Sequence, residues 1–149
     1  MPLPAGAVGN ELEIRVNFTS QVGHVGHVGL QVLSTPDNRE GVNISFGELV
    51  RHPGLGLLYS SQSLDGLSGG KTVVEAPLVI NNTISAVHSL RVFVDHAVVE
   101  AQLDGATAIM NGFFPLSPKE AVVVRVYAGV DSDINISSVE VWGMGSTWV

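Results

Sequence analysis

The chain contains no cysteine, which excludes disulfides and thiolate metal centres together. It is short of positive charge: seven Lys and Arg stand against fourteen Asp and Glu, for a net charge of −7. That balance repels phosphate backbones, and no stretch interleaves basic with aromatic residues, so nucleic acid is not an expected partner. No apolar run reaches the length of a membrane span, so no membrane partner is expected either. The first residues, MPLPAGAVGN, lack the basic region and apolar core of a signal peptide. The chain therefore reads as cytoplasmic or as a piece of something longer. Aromatics are scarce at 6%, whereas 45% of the 149 residues are apolar, enough to bury the core of one domain.

The apolar residues alternate. Leu12, Ile14, Val16 and Phe18 take every second position, as do Val28, Leu30 and Val32, then Val42, Ile44 and Phe46. Leu90, Val92 and Val94 repeat the pattern, followed by Val122, Val124 and Val126, and Ile134 and Ile136 open a last run toward Val139 and Val141. A period of two is that of a half-buried strand. Turn signals separate the runs: Thr35-Pro36-Asp37-Asn38, His52-Pro53-Gly54, Asp65-Gly66, Ser68-Gly69-Gly70, Asp104-Gly105 and Ser117-Pro118. No window has helical periodicity. About ten short strands at this spacing predict an all-β fold, an antiparallel two-sheet sandwich of the jelly-roll or concanavalin-like kind. Residues 1–9 are expected to be a linker and 10–149 the sandwich domain.

The stretch LRVFVDHAVVEAQLDG, residues 90–105, holds two acids in an apolar run, Asp95 and Glu100. Paired carboxylates about 5 to 10 Å apart are what a glycosidase uses. Here the alternation breaks at Asp95-His96-Ala97 and resumes at Val98, which predicts a tight hairpin closed at its far end by Asp104-Gly105. Acids so placed serve the turn's own amides or a neighbouring Arg such as Arg91 or Arg125. The reading preferred on the residues is a structural hairpin of Asp95, Glu100, Asp104 and Gly105, with no catalytic residue.

Other constellations give bland readings. His24 and His27 lie three apart, which in a strand sends them to opposite faces, and no third metal ligand accompanies them. Asp131-Ser132-Asp133-Ile134-Asn135 imitates the start of a calcium loop but lacks glycine at its sixth position and glutamate at its twelfth, so an acidic turn is preferred. No metal or cofactor is expected. Trp142, Trp148, Tyr59 and Tyr127 are the candidate sugar or interface contacts, with packing and a domain interface favoured over a stacking platform. Asn17, Asn43, Asn81 and Asn135, four of the eight asparagines, begin Asn-x-Ser/Thr sequons, where about one is expected by chance. They read equally as glycosylation sites and as outward polar positions of strands.

The hairpin also carries a resemblance. Val94-Asp95-His96-Ala97-Val98-Val99-Glu100, then Asp104-Gly105, then Phe113-Phe114-Pro115, resembles the C-terminal β-sandwich of glycoside hydrolase family 32, the family of invertases and fructan-active enzymes. Ser61-Gln62-Ser63 is similar to the family's Asp-Gln-Ser step, Val141-Trp142-Gly143-Met144 to its closing Trp-x-Met, and Asn10 to Ile14 to its first sandwich strand. The chain departs from the pattern at Ala97, where Ser is usual, at Gln102, near which an aromatic is common, at Gly112, where Arg is usual, and at Ser61.

The resemblance implies that chemistry lies elsewhere. The family's catalytic motifs, Asn-Asp-Pro, Arg-Asp-Pro and Glu-Cys, belong to an N-terminal five-bladed propeller, and none occurs in this chain. It implies an ancillary sandwich that packs on and stabilises that propeller, if the gene continues upstream, and that takes part in homodimers. The parent would hydrolyse sucrose or fructans without a cofactor, outside the cell or in the vacuole. The alternative is a free-standing lectin-like module with a fructan or sucrose ligand. A purely structural interaction domain is the weaker third reading.

Overall fold

The structure, a computed structural model, describes residues 10–20, 27–48, 55–63, 73–79, 86–129 and 134–144. Its elements follow the alternation. β1 (Glu11–Ser20) sends Leu12, Ile14, Val16 and Phe18 inward, each fully buried. β2 (His27–Ser34), β3 (Gly41–Glu48) and β4 (Leu55–Ser63) bury Val28, Leu30, Val32, Val42, Ile44, Phe46 and Leu58 in the same way. The remaining strands are β5 (Val73–Val79), β6 (Ala86–Asp95), β7 (Val98–Leu103), β8 (Thr107–Gly112), β9 (Val123–Ala128) and β10 (Asn135–Gly143). No helix occurs among the described residues.

The strands pair antiparallel into two sheets of five, in the orders β10-β1-β6-β7-β8 and β5-β4-β3-β2-β9. Their inward faces share one apolar core, which is what holds a sandwich together. This is the expected fold class. The expected linker, residues 1–9, lies outside the described residues, as do the turns at Gly54, Asp65-Gly66 and Ser68-Gly69-Gly70.

Two bulges adjust the alternation. In β10, Ser138 pairs with Asn17 but Ile136 pairs with Phe18, so Ser137 is extra, and its Oγ donates to the Asn17 carbonyl (3.0 Å). The extra residue lets Ile136 and Val139, three apart, both pack on the core. In β2 the register shifts between Gln31 and Ser34; Leu33 takes a left-handed φ of 48° and is buried beside Val32.

At one edge the sheets are tied by polar groups. Gln62 of β4 donates through Nε2 to the Asn111 Oδ1 of β8 (2.7 Å) and to the Gly112 carbonyl, while Asn111 Nδ2 donates to Ser60 Oγ (3.0 Å). Asn111 and Ser60 are buried, so each needs the other for a partner. A second tie is a pair of hydrogen bonds: buried Glu40 accepts from the Ser117 amide (3.1 Å) and hydroxyl (3.2 Å), anchoring the loop between β8 and β9.

Asn111→Ala strands the Ser60 hydroxyl in the core, and a buried unsatisfied group costs about 1–3 kcal/mol. A loss of about 2 kcal/mol is expected in urea unfolding of Asn111→Ala, against little change for exposed Lys119→Ala.

Candidate functional site: the β6–β7 hairpin and the faces around it

The hairpin joins Asp95 to Val98 through a two-residue turn in which His96 has φ 53°, a conformation that His adopts more readily than most residues. Asp95 Oδ1 lies 2.7 Å from His96 Nδ1, and Glu11 Oε1 of β1 lies 3.2 Å from His96 Nε2. The Asp95 hydrogen bond raises the His96 pKa above the ordinary imidazole value; burial opposes this, and the Glu11 and Asp95 charges add to it.

Glu100 is the third residue of β7, opposite Phe93. Its carboxylate accepts from Gln102 Nε2 (2.7 Å). Neither suggested arginine serves it. Arg91 Nε donates to Glu13 (2.7 Å), and Arg125 is spent on Gln31, Ser34 and the carbonyls of Thr35 and Pro36. Asp95 likewise takes the His96 ring rather than an amide of the turn. Both acids face outward and, with Phe93, Val98 and Met144, line a shallow depression of about 320 Å³.

At the hairpin's far end Asp104 and Gly105 adopt φ values of 54° and 68°. A side chain at Gly105 would meet nothing within 4 Å, so it is the left-handed backbone that calls for glycine there. The Asp104 amide donates to the Ser89 carbonyl (2.9 Å), and its carboxylate accepts from the Ser89 amide (2.8 Å) and faces His88 Nδ1 (2.8 Å). His88 is buried between Phe18 and Phe46, with centroids 5.3 and 5.8 Å away, and its Nε2 has no hydrogen-bond partner among the described residues. The sequence reading missed His88, although it shares the inward parity of Leu90, Val92 and Val94.

The four aromatic candidates do not form one platform. Trp142 stands on the outer face of the first sheet with the Arg15 guanidinium 5.3 Å from its ring. Tyr59 and Tyr127 are on the outer face of the second, in the pairing row Glu75, Tyr59, Ser45, Gly29 and Tyr127. Tyr127 OH bonds Ser45 Oγ (2.7 Å) across Gly29, where a Cβ would come within 2.6 Å of the tyrosine ring. Burial raises the Tyr127 pKa, with the Ser45 bond opposing it. Trp148, His24, Asp131, Asp133 and Asn81 lie outside the described residues. Of the other sequons, Asn17 is half-buried and donates to Ser138 Oγ (2.8 Å), Asn43 is half-buried, and Asn135 is exposed. Among the described residues no three His, Asp or Glu are grouped as a metal site would need.

The family model for the glycosyl hydrolases family 32 C terminal matches residues 3–143. The chain belongs to that family. Its fold is shared with fructan 1-exohydrolase IIa from Cichorium intybus, at a TM-score of 0.72 and 18% identity, over 95% of this chain and 32% of that one. Exo-inulinase from Aspergillus awamori gives 0.69 and 19%, over 95% and 26%. The carbohydrate binding module CBM66 from Bacillus subtilis gives 0.59 and 14%, over 91% and 77%. No curated protein matches the chain. The family 32 C-terminal chain thus spans about a third of the exohydrolase and about a quarter of the exo-inulinase.

The Asp104 carboxyl titrates low. Burial pushes it up, but the His88 bond, the Ser89 amide and the His88 charge together outweigh burial. A lowered folded-state pKa gives stability that is present above the unfolded carboxyl value, near 3.8, and is lost as pH falls through the folded value. Asp104→Asn is therefore expected to cost about 1 kcal/mol at pH 7, partial exposure of the pair discounted. The deficit should shrink below about pH 4 in urea titrations run across pH; a deficit independent of pH would contradict a role for the ionised Asp104 carboxylate.

Proposed function

We propose that this chain is the non-catalytic ancillary sandwich of a β-fructofuranosidase-type glycoside hydrolase, with a catalytic propeller encoded upstream as its partner. The observation that carries this reading is the family match over residues 3–143 of a chain that spans only part of the family's enzymes. The hairpin acids support it. Asp95 is engaged with His96 and Glu100 with Gln102, on an open face rather than across a cleft that could enclose a glycosidic bond. Hydrolysis of sucrose or fructan would be the parent's activity, outside the cell or in the vacuole if that parent is secreted.

A partner surface is available at the end of the sandwich that carries the His96–Ala97 turn and the β8–β9 loop. Phe114 and Leu116 are 79% and 64% exposed there, and Phe114 lines an apolar pocket of about 320 Å³ with Asn10, Leu33, Pro115 and Pro118. Exposed apolar clusters of this kind mark interaction sites. The same surface would serve a homodimer. The second reading, a lectin-like module with a fructan or sucrose ligand, is favoured by the Tyr59–Tyr127 row alone.

Pure protein incubated with sucrose, inulin and levan is expected to release no fructose; turnover lost in Asp95→Asn or Glu100→Gln would defeat the ancillary reading. In light scattering the isolated chain should self-associate, and Phe114→Ser with Leu116→Ser should reduce that. Calorimetric titration with inulin and levan separates the two readings. Sub-millimolar binding by a monomer, abolished by Tyr127→Ala, would establish the lectin-like one instead.

A further inference from the structure

We propose that His96 is a proton-operated clasp that holds the start of β1 against the β6–β7 turn in mildly acidic solution and loosens it in mildly alkaline solution. The inference does not depend on the presence of a catalytic domain.

Geometry carries it. Both ring nitrogens face carboxylate oxygens: Nδ1 lies 2.7 Å from Asp95 Oδ1 and Nε2 lies 3.2 Å from Glu11 Oε1. A neutral imidazole has one N–H and one bare lone pair. Whichever nitrogen keeps the proton, the other then points its lone pair at a carboxylate, and one contact turns repulsive. The imidazolium donates to Asp95 and holds its positive charge beside Glu11. The ring bridges two elements, because Asp95 ends β6 and Glu11 begins β1, and the two residues are register partners. The His96 amide adds a backbone bond to the Asn10 carbonyl (2.6 Å).

The other elements at this place contribute no charge. The pocket that His96 lines is walled by Leu33 of β2 and by Phe114, Pro115, Pro118 and Ala121 of the β8–β9 loop. Glu11 and Asp95 are therefore the charged groups facing the ring among the described residues. The ring itself is 64% exposed, so its partners rather than burial set its position. The raised His96 pKa, due first to the Asp95 bond, which burial opposes and the Glu11 and Asp95 charges support, agrees with this.

The direction of the pH effect follows. A folded-state value above the unfolded one gives a contribution fully present below about pH 6.5 and lost as pH rises through the folded value. The clasp therefore works in mildly acidic solution and until His96 loses its proton. Because His96 and Phe114 share one pocket, acid firms the edge of the apolar end and alkali frees it.

The test is a proton NMR titration of the whole chain together with amide exchange. In wild type the His96 ring is expected to titrate above about pH 6.5. Its midpoint should fall by about half a pH unit or more in Glu11→Gln and in Asp95→Asn. The protection factor of the residue 96 amide should drop several-fold between pH 5.5 and pH 8 in wild type. It should stay level in His96→Asn, a substitution that tolerates the left-handed φ. A midpoint at or below the ordinary imidazole value, one that neither carboxylate variant moves, or protection that falls equally in His96→Asn would overturn the clasp.

Discussion

The relay from Gln62 through Asn111 to Ser60 fixes how the two sheets sit on each other. Apolar contact drives the sheets together but is non-directional, so Leu12, Ile14, Leu30 and Ile44 would fill the core at more than one offset. Hydrogen bonds between buried groups permit far fewer, since any slip leaves a donor or acceptor stranded. By pinning the end of β8, the relay also sets where the following loop departs. Phe113 is buried there with its amide on the Ala97 carbonyl (2.7 Å). Its neighbour Phe114 is thereby turned outward. Glu40 holds the loop from the other side through Ser117. The exposed apolar end is thus a built surface.

Much of this was legible in the sequence, because a sandwich buries one face of each strand and writes a period of two into the chain. The inward sets of β1, β2, β3 and β6 can be read directly from Leu12–Phe18, Val28–Val32, Val42–Phe46 and Leu90–Val94. The bulges were harder, since they break the very period that serves as the signal. Yet their trace is present: Ile136 and Val139 are out of step, and Val32 and Leu33 are adjacent apolar residues that are both buried. The hairpin position was legible, whereas the partners of its acids were not. Glu100 binds Gln102 two residues along the same strand, and Asp104 binds His88 sixteen residues away. The second choice depends on cross-strand register, which no local pattern encodes, and the first is one of several same-face pairs that a period of two allows.

The two outer faces differ in what they leave for a partner. On the first sheet Arg15 reaches Glu13 and Glu140, and Arg91 reaches Glu13, while the same guanidiniums cover Trp142 and Phe93 at 5.3 and 4.6 Å. A partner docking there would have to strip water from several ions already paired, and desolvation commonly outweighs what a new contact returns. On the second sheet Tyr127 spends its hydroxyl on Ser45 and its ring on covering Gly29, leaving Tyr59 as the row's other aromatic edge. At the end of the sandwich Phe114 and Leu116 are exposed, and removing apolar surface from water returns roughly 25 cal/mol per Å². Ionic groups border it: the Glu11–His96–Asp95 cluster on one side, and on the other Asp37, Arg39, Glu40 and Glu120, which line a depression with Leu116. At such a margin charges set orientation more than affinity. An apolar centre with a charged rim is the combination expected of a surface that meets another domain or another copy of the chain.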